Sequence, residues 1–65
     1  MITNSVKEFR NKLGLTQEDL ARAVKVSRQT IIAIEKGNYV PSLALAMALA
    51  KQFKTSVEQL FSDKS

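Results

Sequence analysis

The sequence predicts an all-α fold, a compact five-helix domain in which helices 2 and 3 form a helix-turn-helix. Three observations predict it. Thr16, Ser27, Ser42 and Ser56 each stand just before a stretch of helical periodicity, where a hydroxyl can accept from the unpaired backbone N–H groups of a helix start. Gly14 follows Leu13 and Gly37 follows Lys36, both placed for the left-handed residue that closes a helix end. No five-residue window alternates apolar and polar residues as a half-buried strand would; Val24-Lys25-Val26 comes nearest, and its neighbours read as helix.

Taken in order, a first helix is expected near 5–13, starting at Ser5 with Glu8 at the capping-box spacing. Helix 2 spans about 17–24 behind Thr16, with Leu15 and Leu20 spaced as a hydrophobic staple. Helix 3 spans about 28–36 behind Ser27, with Val26 and Ile31 as its staple. Pro41 forbids any helix from running through Asn38-Tyr39-Val40, so helix 4 starts after Ser42 and runs over 43–53. Helix 5, near 57–62, follows Ser56, which has Gln59 at the capping-box spacing. Only the tail Ser62-Asp63-Lys64-Ser65 and the first three residues are expected to fray.

Apolar spacing points one face of each helix inward. Val6, Phe9 and Leu13 line helix 1; Leu20, Ala21 and Val24 line helix 2; Ile31 and Ile34 line helix 3. Leu45, Leu49 and Phe53 line helix 4, and Leu60 with Phe61 anchors helix 5. No interior linker has room for a boundary, so residues 1–65 are expected to form one domain. A chain this short buries only about 60% of its unfolded surface, and its core is small.

Composition narrows the function classes. Cysteine and histidine are both absent, which removes disulfides, thiolate catalysis, Cys-based metal sites and the commonest general base. Six scattered carboxylates remain, Glu8, Glu18, Asp19, Glu35, Glu58 and Asp63. No nucleophile–base pair or metal cluster can be assembled from them, so neither an enzyme nor a cofactor is expected. Ten Lys and Arg against six acids give a net charge of +4. That balance favours an anionic partner, nucleic acid ahead of a membrane surface, although it also serves solubility. The N-terminus has no basic segment leading into an apolar one. The longest apolar run, Leu43 to Ala50, falls far short of the roughly 20 residues a membrane span needs. A soluble cytoplasmic protein is expected.

The function-bearing segment is the joint between helices 2 and 3. Lys25-Val26-Ser27 is so short that it forces a sharp angle, the geometry of a helix-turn-helix. Ala21 is the small residue that lets the two helices approach. With Ile31 and Ile34 turned inward, about 100° per residue puts Gln29 and Lys36 at the centre of the opposite arc. Ile32 and Ala33 flank them, and Arg28 lies at the edge nearest the helix start. Arg and Gln pair bidentately with guanine and adenine edges in the major groove, and apolar side chains meet thymine methyls.

Thr16-Gln17-Glu18-Asp19-Leu20-Ala21, Val26-Ser27-Arg28-Gln29-Thr30-Ile31, Ile34-Glu35-Lys36-Gly37 and Pro41-Ser42-Leu43 occur in that order and at these spacings. In this the chain resembles the Cro/C1-type helix-turn-helix regulators, the XRE family, from about Val6 to Phe61, and is closest to their short stand-alone members. The resemblance implies a lambda-repressor-like DNA-binding domain with its helix-turn-helix at about 16–35. It implies that Arg28 and Gln29 read bases and that Thr30 meets a base or a phosphate. Gln17 would sit against a phosphate, and Asn38 and Tyr39 would hold the backbone of the facing strand. For Tyr39 the residues themselves leave a second place open, flat against the core. Lys36 supplies general attraction to phosphate. Arg10 and Glu35 look like the family's structural ion pair between helices 1 and 3.

Two positions depart from the family. Lys25 and Lys54 stand where Gly is usual, and a left-handed lysine costs on the order of 1 kcal/mol relative to Gly. On helix 4, Ala44, Met47 and Ala48 fall away from Leu45 and Leu49, as either a plain helix-favouring run or surface for a second subunit. The expected function is sequence-specific double-stranded DNA binding by a transcriptional regulator, a repressor, reading an inverted repeat as a homodimer. Val57 and Phe61 are candidates for the dimer contact, and no small-molecule ligand is expected. The alternative is a protein-interaction module such as an antitoxin-like partner, which would have no need of Arg28 and Gln29 beside Lys36.

Overall fold

The computed structural model describes residues 1–63. The elements run β1 (Ile2–Asn4), α1 (Val6–Lys12), α2 (Gln17–Ala23), α3 (Arg28–Glu35), α4 (Leu43–Gln52), α5 (Val57–Leu60) and β2 (Phe61–Asp63). The five expected helices are present, but the fold is not strictly all-α. β1 and β2 pair antiparallel, Ile2 with Asp63, Thr3 with Ser62 and Asn4 with Phe61. α5 therefore stops at Leu60 instead of reaching residue 62. The first three residues and Ser62-Asp63, expected to fray, are tied together, and the Met1 ammonium reaches the Asp63 carboxylate at 3.2 Å. Lys64 and Ser65 lie outside the described residues. Three-residue strands are too short to show an alternation, which is why the sequence pattern did not reveal them.

Hydroxyl caps form at four starts. Thr16, Ser27, Ser42 and Ser56 accept from the backbone N–H groups of Asp19, Thr30, Leu45 and Gln59. Ser5 makes no such bond. At α1 the acceptor is Asn4 Oδ1, which takes the Val6 N–H at 3.1 Å. Gln59 likewise does not complete a box with Ser56; its Oε1 accepts from the Thr55 hydroxyl at 2.8 Å.

The four longer helices close in one way, a left-handed residue followed by two backward hydrogen bonds. After α1, Gly14 N–H donates to Asn11 O and Leu15 N–H to Arg10 O. After α3 the pairs are Gly37 to Ile34 and Asn38 to Ala33. After α2 they are Lys25 to Arg22 and Val26 to Ala21, and after α4 Lys54 to Lys51 and Thr55 to Ala50. Lys25 and Lys54 adopt φ of 61° and 56° to do this, the backbone that glycine would take without strain.

The core gathers Val6, Leu20, Ala21, Ile31, Ile34, Leu49, Ala50, Phe53 and Leu60, with Phe9 and Val24 packed at its edge. Phe9 and Phe53 stack with centroids 5.6 Å apart, and the Lys12 ammonium lies 5.7 Å from the Phe9 ring centroid. Leu13, expected inside, is 55% exposed. It is the C-cap of α1, where the backbone turns away toward Gly14 and carries the side chain off the core face.

Candidate nucleic-acid interface

α2 and α3 pack on each other across the turn Val24-Lys25-Val26-Ser27. Lys25 sets the angle by taking the left-handed conformation. Ala21 is buried at the crossing, where a larger side chain would hold the helices apart. Ile31 and Ile34 are fully buried and fix the roll of α3. That roll leaves Arg28 and Gln29 exposed in its first turn and Lys36 exposed just past its last. Ile32 and Ala33, expected on the open face, are half-buried, so they border both the core and solvent. The Thr30 hydroxyl is 3.0 Å from Ser27 Oγ, which ties it to the helix cap. Asn38 and Tyr39 are exposed in the loop after α3, Tyr39 at 46%.

Behind this face lies a buried ionic cluster. Arg10 Nε donates to Glu35 Oε2 at 2.7 Å and Arg10 Nη2 to Glu35 Oε1 at 3.2 Å. The two side chains are only 11% and 5% exposed. Arg10 Nη1 donates to Leu15 O at 2.8 Å, and Gln17 Nε2 donates to Glu35 Oε1 at 3.1 Å. Buried charges stand only when paired and hydrogen-bonded, and both conditions are met. The cluster joins α1, the start of α2 and the last residue of α3.

Charge is distributed unequally between the two helix starts. The first turn of α2 carries Glu18 and Asp19, and that of α3 carries no acid. Asp19 Oδ2 accepts the Thr16 backbone N–H while Thr16 Oγ1 accepts the Asp19 N–H, each at 3.0 Å. The Thr16 backbone bond, then the Thr16 hydroxyl and the Arg22 charge, hold the Asp19 carboxyl below its ordinary pKa. Arg28 and Lys36 form no ion pair among the described residues, so their charge stays available to an anion.

One residue that braces α3 from behind was not expected from sequence. Asn4 Nδ2 donates to Ile34 O at 2.8 Å while its Oδ1 caps α1, and so ties the N-terminal strand to the end of α3. An Asn just before a helix start is a recognised cap signal, but its second bond, thirty positions away in sequence, is visible only in three dimensions. Among the described residues there is no group of three or more His, Cys, Asp or Glu able to hold a metal, and no helix long and apolar enough to cross a membrane.

A short-turn helix pair held by a common core, with one helix presenting arginine and glutamine to solvent, defines a helix-turn-helix domain. Comparison with known proteins agrees. The family model described as helix-turn-helix matches residues 6–60. An HTH-type transcriptional regulator of Methanocaldococcus jannaschii is 57% identical over 58 residues, covering 89% of this chain and 88% of that protein. The cryptic phage CTXphi transcriptional repressor RstR of Vibrio cholerae is 32% identical over 63 residues, 97% of this chain and 57% of its own. A solved protein from Bacteroides fragilis superposes with a TM-score of 0.84 at 24% identity, covering 95% of this chain and all of that one; that likeness shows the fold alone. The chain belongs to the XRE-type helix-turn-helix family of DNA-binding transcriptional regulators.

Proposed function

We propose that this protein is a sequence-specific repressor that binds double-stranded DNA as a homodimer, residues 1–65 acting as one DNA-binding domain. Each subunit lays α3 in a major groove. Arg28 and Gln29 read base edges, Thr30 reaches a base or phosphate, and Ile32 and Ala33 meet thymine methyls. Gln17, Lys36, Asn38 and Tyr39 hold phosphates on either side of the groove. The observation that carries this reading is the roll of α3. Fully buried Ile31 and Ile34 turn Arg28 and Gln29 outward, with no acid in that turn to oppose a phosphate backbone.

The repressor role is supported by the likeness to a phage repressor. A dimer is supported by a shallow apolar hollow where Val57 and Phe61 meet Ile2, Val40 and Leu43. Leu43 in that hollow and Met47 about one turn further along α4 are 72% and 56% exposed, more apolar surface than a small monomer gains from showing to water. Two copies paired there would present two α3 helices to half-sites about 34 Å apart.

Selection of an operator from a random duplex pool, followed by anisotropy titrations of that operator and of its single-base variants, tests the reading. Arg28→Ala should flatten discrimination at one base position, whereas Lys36→Ala should weaken every sequence equally and reduce the salt slope by about 1. Loss at Lys36 that depended on sequence would contradict its phosphate role. Binding without sequence preference by the unsubstituted protein would favour the protein-interaction module.

A further inference from the structure

We infer that Glu35 is a positioning residue for DNA binding, acting through Gln17; the inference rests on the DNA reading above. Gln17 is the first residue of α2 and Glu35 the last of α3. Their side chains meet, Gln17 Nε2 to Glu35 Oε1 at 3.1 Å, and the Glu35 side chain is 5% exposed. The carboxylate is itself immobile, because Arg10 grips both its oxygens while Leu15 O holds the far end of that guanidinium.

A glutamine amide has two N–H donors and an oxygen that only accepts. Bonded to Glu35, the amide cannot flip, since a flip would set its oxygen against a carboxylate. One N–H is committed to Glu35 and the other stays free in a fixed direction. A phosphate accepts and never donates, so the fixed amide offers it the matching group without ordering a side chain on binding. Released from Glu35, the same amide would rotate, and part of the time its oxygen would face the phosphate. Arg10 neutralises Glu35, so the anchor adds no net negative charge beside DNA. The bond also joins the backbone-contacting start of α2 to the end of the reading helix, and fixes the two sets of contacts in one register.

A double-mutant cycle tests this by anisotropy on the selected operator. Gln17→Ala should weaken the otherwise unsubstituted protein about tenfold, the size of one hydrogen bond to a charged group. In an Arg10→Met, Glu35→Leu background, which replaces the buried pair by apolar side chains and can still fold, Gln17→Ala should change affinity little. Glu35→Gln keeps an acceptor oxygen and should restore the Gln17 effect. Equal loss in both backgrounds, or no loss in either, overturns the positioning role while leaving DNA binding by the unsubstituted protein intact. Failure of that protein to select any operator overturns the DNA reading and this inference with it. Should the apolar background not fold, side-chain amide resonances of the free, unsubstituted protein decide. Of the two Gln17 Nε2 protons, the one bonded to Glu35 should be exchange-protected, well separated in shift from its solvent-facing partner, and hold its shift on DNA binding while the partner moves; an averaged, unprotected amide would overturn the proposal.

Discussion

Both helices of the helix-turn-helix start on a hydroxyl cap and close through a left-handed residue behind them, Lys25 and Gly37, yet their first turns carry opposite chemistry. α2 opens Gln17-Glu18-Asp19, and its acids serve the helix itself. Asp19 completes the cap with Thr16, and Glu18 pairs with Arg22 at 3.1 Å. Carboxylates there also offset the partial positive charge of a helix start. α3 opens Arg28-Gln29-Thr30 and sets a cation where an anion would be more stable. α2 is stabilised from within its own sequence. α3 gives up that local help and is held instead by Ile31, Ile34 and the Glu35 cluster behind it. The difference teaches that a reading surface can be locally unfavourable provided the opposite face is buried deeply enough to hold it.

The largest effect should come from removing that burial. Ile34→Ala deletes a fully buried side chain and should lower stability by ~2–5 kcal/mol in chemical denaturation, leaving little of the fold. Arg28→Ala should cost ~1–3 kcal/mol of operator affinity by anisotropy, while thermal unfolding stays level or rises, because a cation leaves a helix start. A fall in stability with Arg28→Ala would break the comparison. Lys25→Gly relieves the positive φ between the two helices and should add about 1 kcal/mol, raising Tm by roughly 4–8 °C; an unchanged Tm would argue against strain in that turn.

The smallest effect is a pH dependence confined to α2. The folded-state pKa of Asp19 lies below its unfolded value near 3.8, chiefly through the Thr16 backbone bond. Its contribution is therefore present above that value and is lost as pH falls through the lower, folded one. Asp19→Asn should flatten the stability profile below about pH 4 and leave the Arg28 effect on DNA untouched.

These four positions also show what could be read from sequence. Caps are local chemistry, so Thr16, Ser27, Ser42 and Ser56 marked four starts, while Lys25 was marked as a left-handed position by the family resemblance, in which Gly is usual there. The buried face of α3 followed from the spacing of Ile31 and Ile34. Two kinds of feature were hidden. The pairing of Ile2–Asn4 with Phe61–Asp63 joins segments too short to carry a pattern and almost the whole chain apart. The bonds of Asn4 to Ile34 O and of Gln17 to Glu35 depend on where side chains meet after folding. Leu13 had the right spacing to be buried and the wrong backbone, at the point where α1 gives way to its closing turn.

The outward face of α3 as a reader of base sequence is the central claim, and selection from a random duplex pool tests it most directly. Performed at one salt concentration with the unsubstituted protein and with Arg28→Ala, it should enrich an inverted repeat with half-site centres about 10 base pairs apart. For the variant, one position in each half-site should lose its preference. An unsubstituted protein that enriched no sequence, or a variant that enriched the same repeat unchanged, would contradict it.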